Sequence, residues 1–253
     1  MKITRAVVPS LFTTLNIFCG FLSIISSHEG HIENGAWFIL LAALFDSLDG
    51  IMARITRSSS QFGVELDSLA DVVSFGAAPS FLAYQAYLNV FEQWGILIAA
   101  LPLVAGAIRL ARFNVQLVGF DKDHFNGLPI PVQAMTICTY LLQYHSPENG
   151  LSGLSTFFFA PLVILLSLLM VSRIKYDTLP KLNRKQIVAH PWKVVSFGVA
   201  VIVVVFSKGM LLFHVVFAYV AFGVIRAIIH WLKSSPEVEK KTELENKYSS
   251  IDI

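Results

Sequence analysis

Four aspartates stand in strongly apolar surroundings, in two closely linked pairs. The first lies in Phe45-Asp46-Ser47-Leu48-Asp49-Gly50-Ile51-Met52-Ala53-Arg54; after eight further residues the second lies in Gly63-Val64-Glu65-Leu66-Asp67-Ser68-Leu69-Ala70-Asp71. On helices, Asp46 and Asp49 are i, i+3 and Asp67 and Asp71 are i, i+4, so each pair projects from one face. A short turn between the two helices makes them antiparallel and lets the pairs meet. Four carboxylates in one pocket repel unless cations neutralise them, and hard oxygen ligands suit Mg²⁺, Mn²⁺ or Ca²⁺ rather than zinc. A carboxylate in a membrane helix costs about 2.5–3.5 kcal/mol even on a lenient insertion scale, which argues for a purpose. The alternative is a set of interhelical bonds to Arg54, Arg109 and Arg112, but basic partners alone do not require a D-x2-D-G-x2-A-R-x8-G-x3-D-x3-D spacing.

The elements that carry these residues are membrane helices. Of 253 residues, 55% are hydrophobic and 14% charged, with a mean hydropathy of +0.65. Soluble domains carry about 25% charge, so a soluble enzyme is excluded. Apolar stretches at 6–26, 36–57, 66–90, 94–116, 128–145, 155–172, 192–206 and 209–232 each approach the ~20 residues needed to span a bilayer, which predicts about eight helices. The first stretch, interrupted by Thr13, Thr14 and Asn16, reads as a retained helix and not a cleaved signal. The loops at 27–35, 91–94 and 146–154 contain no Lys or Arg, and 18 of the 19 basic residues fall on the other side, with Lys208 the exception. The positive-inside rule then places both termini and the aspartates at the cytoplasmic face.

The chain thus divides into a membrane-embedded domain, 1–233, and a Lys- and Glu-rich tail, 234–253, without apolar periodicity, expected to be disordered. The net charge of +2 and the scattered basic residues give no nucleic-acid surface. There is no G-x4-G-K-[ST] or G-x-S-x-G motif and no visible internal repeat. The seven histidines form no ligand pattern, and Cys19 and Cys138 read as buried thiols.

Small residues surround the acidic pairs. Gly50, Ala53 and Gly63 permit close helix packing or close approach of a flat ligand such as a nucleobase. Arg54, one turn past Gly50, suits a phosphate or a headgroup anchor. Thr13 and Asn16, i, i+3 in the first helix, suit a nucleotide contact or an interhelical hydrogen bond. Arg109 and Arg112, also i, i+3, suit an anionic substrate group or a topological anchor.

The acidic string resembles the signature of the CDP-alcohol phosphatidyltransferase family at Asp46, Asp49, Gly50, Ala53, Arg54, Gly63, Asp67 and Asp71. Three further segments are similar to the phosphatidylserine synthases of bacteria and archaea: Arg109-Leu110-Ala111-Arg112-Phe113-Asn114, Phe125-Asn126-Gly127-Leu128-Pro129-Ile130-Pro131, and Pro9 to Asn16, where Ser10 replaces an asparagine. Ser172 to Tyr176 extends the likeness, which runs from about residue 9 to 181. The resemblance implies an all-α polytopic bundle of a six-helix family core plus two helices. It implies that Asp46, Asp49, Asp67 and Asp71 bind one or two Mg²⁺ or Mn²⁺ ions and that Asp71 is also the base for the incoming hydroxyl. Gly50, Ala53, Arg54, Gly63, Thr13 and Asn16 are then expected at the CDP-lipid, and Arg109, Arg112 and Asn114 at serine. CDP-diacylglycerol and L-serine are the implied substrates, in a bacterial or archaeal cytoplasmic membrane, with the assembly left open to a homodimer. Rival readings are another acceptor alcohol (glycerol-3-phosphate, inositol phosphate, choline) and, from another class, a cation-coupled transporter using intramembrane carboxylates.

Overall fold

The computed structural model describes residues 7–56, 61–117, 125–176 and 211–249. The helices are α1 (Val7–His28), α2 (Ile32–Thr56), α3 (Gln61–Asp71), α4 (Ala78–Ala86), α5 (Glu92–Leu117), α6 (Ile130–Tyr144), α7 (Leu154–Val171) and α8 (Leu212–Ser249). A π-helical turn, Val72–Ala77, joins α3 to α4, and a 3₁₀ turn, Leu88–Phe91, leads into α5.

The polytopic helical bundle expected from composition is present. Five helices are long and apolar enough to cross a membrane: α1, α2, α5 with its preceding turn, α7 and α8. The expected count of eight goes beyond this. The span at 66–90 becomes the α3–α4 rod, whose acidic residues lower its hydropathy. The span at 128–145 becomes the 15-residue α6, about 22 Å long and short of a ~30 Å hydrocarbon layer. The span at 192–206 lies outside the described residues. The loop expected at 27–35 shrinks to Glu29–His31, where Gly30 adopts φ +84°; Glu33 in the first turn of α2 favours its early start. The tail expected to be disordered from Ser234 is helical through Ser249. Good helix formers and Glu-to-Lys spacings of i, i+4 (Glu237/Lys241, Glu243/Lys247) oppose the usual disorder of a charged segment.

The first helix is polar and small on its inner face, bulky and apolar on its outer one. On α1, Thr13, Asn16, Gly20, Ser23 and Ser27 share the buried face, while Leu11, Phe18, Phe21 and Ile25 are exposed. Without a hydrophobic force between helices in lipid, small residues that let backbones approach supply the packing. A Cβ at Gly20 would lie 2.5 Å from Ser74 Oγ, and one at Gly35 equally close to Ser27 Oγ. Thus α1 packs along α2 on one side and along α3–α4 on the other, whereas α2 and α3 barely touch among the described residues.

Two prolines shape the elements beside the site. Pro79, in the first turn of α4, has no N–H and would crowd the carbonyl four residues back. The π turn absorbs this mismatch, with the Ala78 N–H donating to Val73 O, five residues back. Pro102 lies inside α5, and the next N–H, that of Leu103, donates to Ser80 Oγ at 3.1 Å. At the end of the bundle that holds the aspartates, Phe125 pairs with Tyr176 and Asn126 with Lys175 in a two-residue antiparallel ladder. Gly127, at φ +84°, has no room for a Cβ against Met170 O, and its N–H donates to Ile174 O at 2.9 Å. The segments 125–131 and 172–176, remote in sequence, are thereby stapled together.

Candidate active site

Three of the four aspartates converge. Carboxylate oxygens of Asp46 on α2 and of Asp67 and Asp71 on α3 all lie within 4.8 Å of one another. The i, i+4 spacing of Asp67 and Asp71 aligns them on α3, and Asp71 is the last α-helical residue before the π turn. Asp49 stands beside this trio, within electrostatic reach of Asp46 and Asp67. It is buried and accepts a hydrogen bond from the Thr13 hydroxyl. The expected four-carboxylate cluster is therefore three converging groups with the fourth held by α1.

The donor set fits a divalent cation. All three converging groups offer hard oxygens, and Asp71 Oδ1 is buried with no hydrogen-bond partner among the described residues. An orphaned carboxylate oxygen facing two other carboxylates is costly in a low dielectric unless a cation completes it.

Around this trio the structure sorts the other expected residues. Gly50 is exposed next to Asp49, and Gly63 is half-buried one turn before Asp67. The side chains of Ala53 and Arg54 lie outside the described residues. Asn16 is fully buried; its carbonyl accepts from Ser74 Oγ at 2.8 Å, and both its amide atoms lack partners among the described residues. Asn114 meets α3 directly, donating through Nδ2 to Ser68 Oγ at 3.1 Å.

The two arginines part company. Arg109 is buried, within electrostatic reach of Asp71 and of Tyr219 on α8. Arg112 is exposed, and its Nη1 donates to Val171 O at 3.1 Å, where a cation complements the C-terminal end of the α7 dipole. The two arginines, alike in spacing, therefore have different surroundings: Arg109 is near Asp71 and Arg112 at the end of α7.

Sequence reasoning passed over Gln133 and Tyr219, and met Tyr176 only as the end of the Ser172–Tyr176 segment. Gln133, in the first turn of α6, is fully buried, and its amide atoms lack partners among the described residues. The signal was available for Gln133, a polar residue opening an apolar run. None marks Tyr219 within α8.

The model of the CDP-alcohol phosphatidyltransferase family matches residues 6–171. The chain is 39% identical over 178 residues to the CDP-diacylglycerol–serine O-phosphatidyltransferase of Helicobacter pylori, covering 69% of this chain and 73% of that protein. It is 43% identical over 178 residues to the archaetidylserine synthase of Methanothermobacter thermautotrophicus, covering 69% and 72%. With the CDP-diacylglycerol–serine O-phosphatidyltransferase of Bacillus subtilis it shares 34% over 189 residues, covering 73% and 98%. In fold it is similar to the crystal structure of the Mycobacterium tuberculosis phosphatidylinositol phosphate synthase with CDP-DAG bound, at a TM-score of 0.51 and 22% identity, covering 67% of this chain and 82% of that one. The family match takes in all four aspartates together with Thr13, Arg109 and Asn114, and on that ground the chain belongs to the CDP-alcohol phosphatidyltransferase family.

Proposed function

We propose that this protein transfers the phosphatidyl group from CDP-diacylglycerol to L-serine, releasing CMP. The observation that carries the reading is the convergence of Asp46, Asp67 and Asp71 beside a buried arginine, in a chain whose relatives are named for serine transfer. Asp46, Asp67 and Asp71 hold Mg²⁺ or Mn²⁺, and Thr13 fixes Asp49 next to them. When bound, the metal neutralises the diphosphate and stabilises charge on the departing CMP. Asp71, near Asp46, Asp67 and Arg109, accepts the proton of the serine hydroxyl. The new bond forms between that oxygen and the β-phosphorus as the bond to the CMP oxygen breaks, in line. Arg109 supplies the positive charge that a zwitterionic acceptor's carboxylate needs. No covalent enzyme intermediate is involved.

The loop-charge asymmetry supports a cytoplasmic face for this chemistry in a membrane-embedded domain, 1–233. The acyl chains stay in the bilayer and serine enters from water. The test is CMP release by purified protein across acceptors. Serine alone should drive metal-dependent CMP formation from CDP-diacylglycerol; release driven by glycerol phosphate and not by serine would refute the acceptor, and no release with any alcohol would refute the enzyme.

A further inference from the structure

Two of the three converging carboxylates stand on α3, yet little holds its backbone to the helices that surround the site. It packs along α1 and runs into the π turn, while among the described residues its backbone barely meets α2, which brings Asp46, or α5. A pair of polar side chains bridges the gap to α5. Asn114 Nδ2 donates to Ser68 Oγ at 3.1 Å, and that hydroxyl donates in turn to Val64 O at 3.1 Å, one turn back along α3. The other end of the same amide, Oδ1, lies 3.4 Å from Ser68 Oγ. Both side chains are half-buried. Ser68 follows Asp67 directly and precedes Asp71 by one turn, so it leaves the helix about 100° round from the one and about 60° from the other. The bond from α5 thus takes hold of α3 between its two carboxylates in sequence and close beside them in angle.

We infer that Asn114, acting through Ser68, is a positioning residue for the metal: their bond fixes the rotation of α3 about its own axis, and with it the directions of Asp67 and Asp71. This role rests on the metal reading above and replaces the serine contact expected of Asn114 from sequence. A carboxylate stands about 5 Å from its helix axis, so a turn of about 10° in α3 moves it by about 0.9 Å. That is several times the ~0.2 Å within which metal–ligand distances must hold. Repulsion among the three carboxylates favours such a turn. A bond between two neutral side chains resists it without adding a charge that would compete with the cation. Partners that orient metal ligands are typically worth about 10- to 100-fold in metal affinity.

The experiment measures Mn²⁺ binding to the purified protein in detergent, read from the paramagnetic resonance signal of free Mn²⁺, for Ser68→Ala, Asn114→Ala, the double variant and Ser68→Thr. Melting in EDTA and the serine KM at saturating Mn²⁺ are measured beside it. Each alanine variant should bind Mn²⁺ about 10-fold more weakly, and the double variant no more weakly than either, because both substitutions break the same bond. Ser68→Thr keeps the hydroxyl and should bind Mn²⁺ within about twofold of wild type. With the metal saturating, the serine KM should stay within about twofold in every variant. Mn²⁺ affinity within about twofold of wild type in both alanine variants overturns the role, whether or not their melting temperature in EDTA falls, since that pattern marks a bond that only stabilises the fold. Losses that add in the double variant overturn it too. A serine KM raised about 10-fold by Asn114→Ala and left alone by Ser68→Ala returns Asn114 to the serine contact. If wild-type protein binds no Mn²⁺, the metal reading itself fails and this role with it.

Discussion

Asp67→Asn exposes the charge logic of the site. Oxygens of Asp46, Asp67 and Asp71 lie within 4.8 Å of one another, and at an effective dielectric of ~20 two unit charges at that separation repel by about 3.5 kcal/mol. Asp67 takes part in two such pairs, so the amide removes about 7 kcal/mol of repulsion from a fully ionised, cation-free site. Proton uptake caps the gain, because protonating an ordinary carboxylate at pH 7 costs only about 4 kcal/mol. The variant in EDTA should therefore be more stable than wild type by up to about 4 kcal/mol, or roughly 8–16 °C in melting temperature for a chain of this size. Mg²⁺ or Mn²⁺ reverses the order. A cation that binds the folded site stabilises wild type by mass action, whereas the variant has lost a ligand and should respond little. Its turnover should vanish. Thermal melting in detergent with EDTA or Mg²⁺, run beside CMP release, reads both effects. Wild-type turnover by Asp67→Asn, or a lower melting temperature than wild type in EDTA, would refute the reasoning.

Asp71→Asn should lower kcat by about 10²–10⁴ while binding of a CDP-lipid analogue survives; equal loss of binding and turnover would reduce Asp71 to a ligand. Arg109→Ala should raise the serine KM by about 10- to 150-fold, the worth of a charge-assisted bond, whereas Arg112→Ala should leave it nearly unchanged and cost about 1 kcal/mol of stability through the lost bond to Val171 O. Serine titrations and melting curves of the two variants separate these outcomes, and matching KM shifts would contradict the division seen between them. Thr13→Val keeps the side-chain shape and removes the donor to Asp49. It should weaken CDP-lipid binding by about 1–2 kcal/mol, roughly 5- to 30-fold, measured as KM for CDP-diacylglycerol at saturating serine.

Much of this protein is legible from its sequence because helical periodicity and the cost of charge in lipid are local rules. The i, i+3 and i, i+4 spacings place each aspartate pair on one face whatever the neighbours do, and an intramembrane carboxylate announces a use. The apolar runs likewise determine a helical membrane bundle, and the motif from Asp46 to Asp71 carries the family. Local rules stop at the point where helices meet. Which three of four carboxylates converge depends on tertiary packing: Asp46, Asp67 and Asp71 meet across α2 and α3, while Asp49 takes the Thr13 hydroxyl of α1, which packs on both. Arg109 and Arg112 share a spacing and a charge, and only the surroundings of α5 bury one near Asp71 and leave the other on the end of α7. The π turn after Asp71 arises from a proline eight residues on and from Ser74 seated against α1. Tyr176 and Tyr219 are 43 positions apart, and no periodicity joins them. Their meeting is decided by the packing of α8 against the stapled segment that follows α7, because side-chain proximity across elements is a property of tertiary packing and not of any one element's pattern.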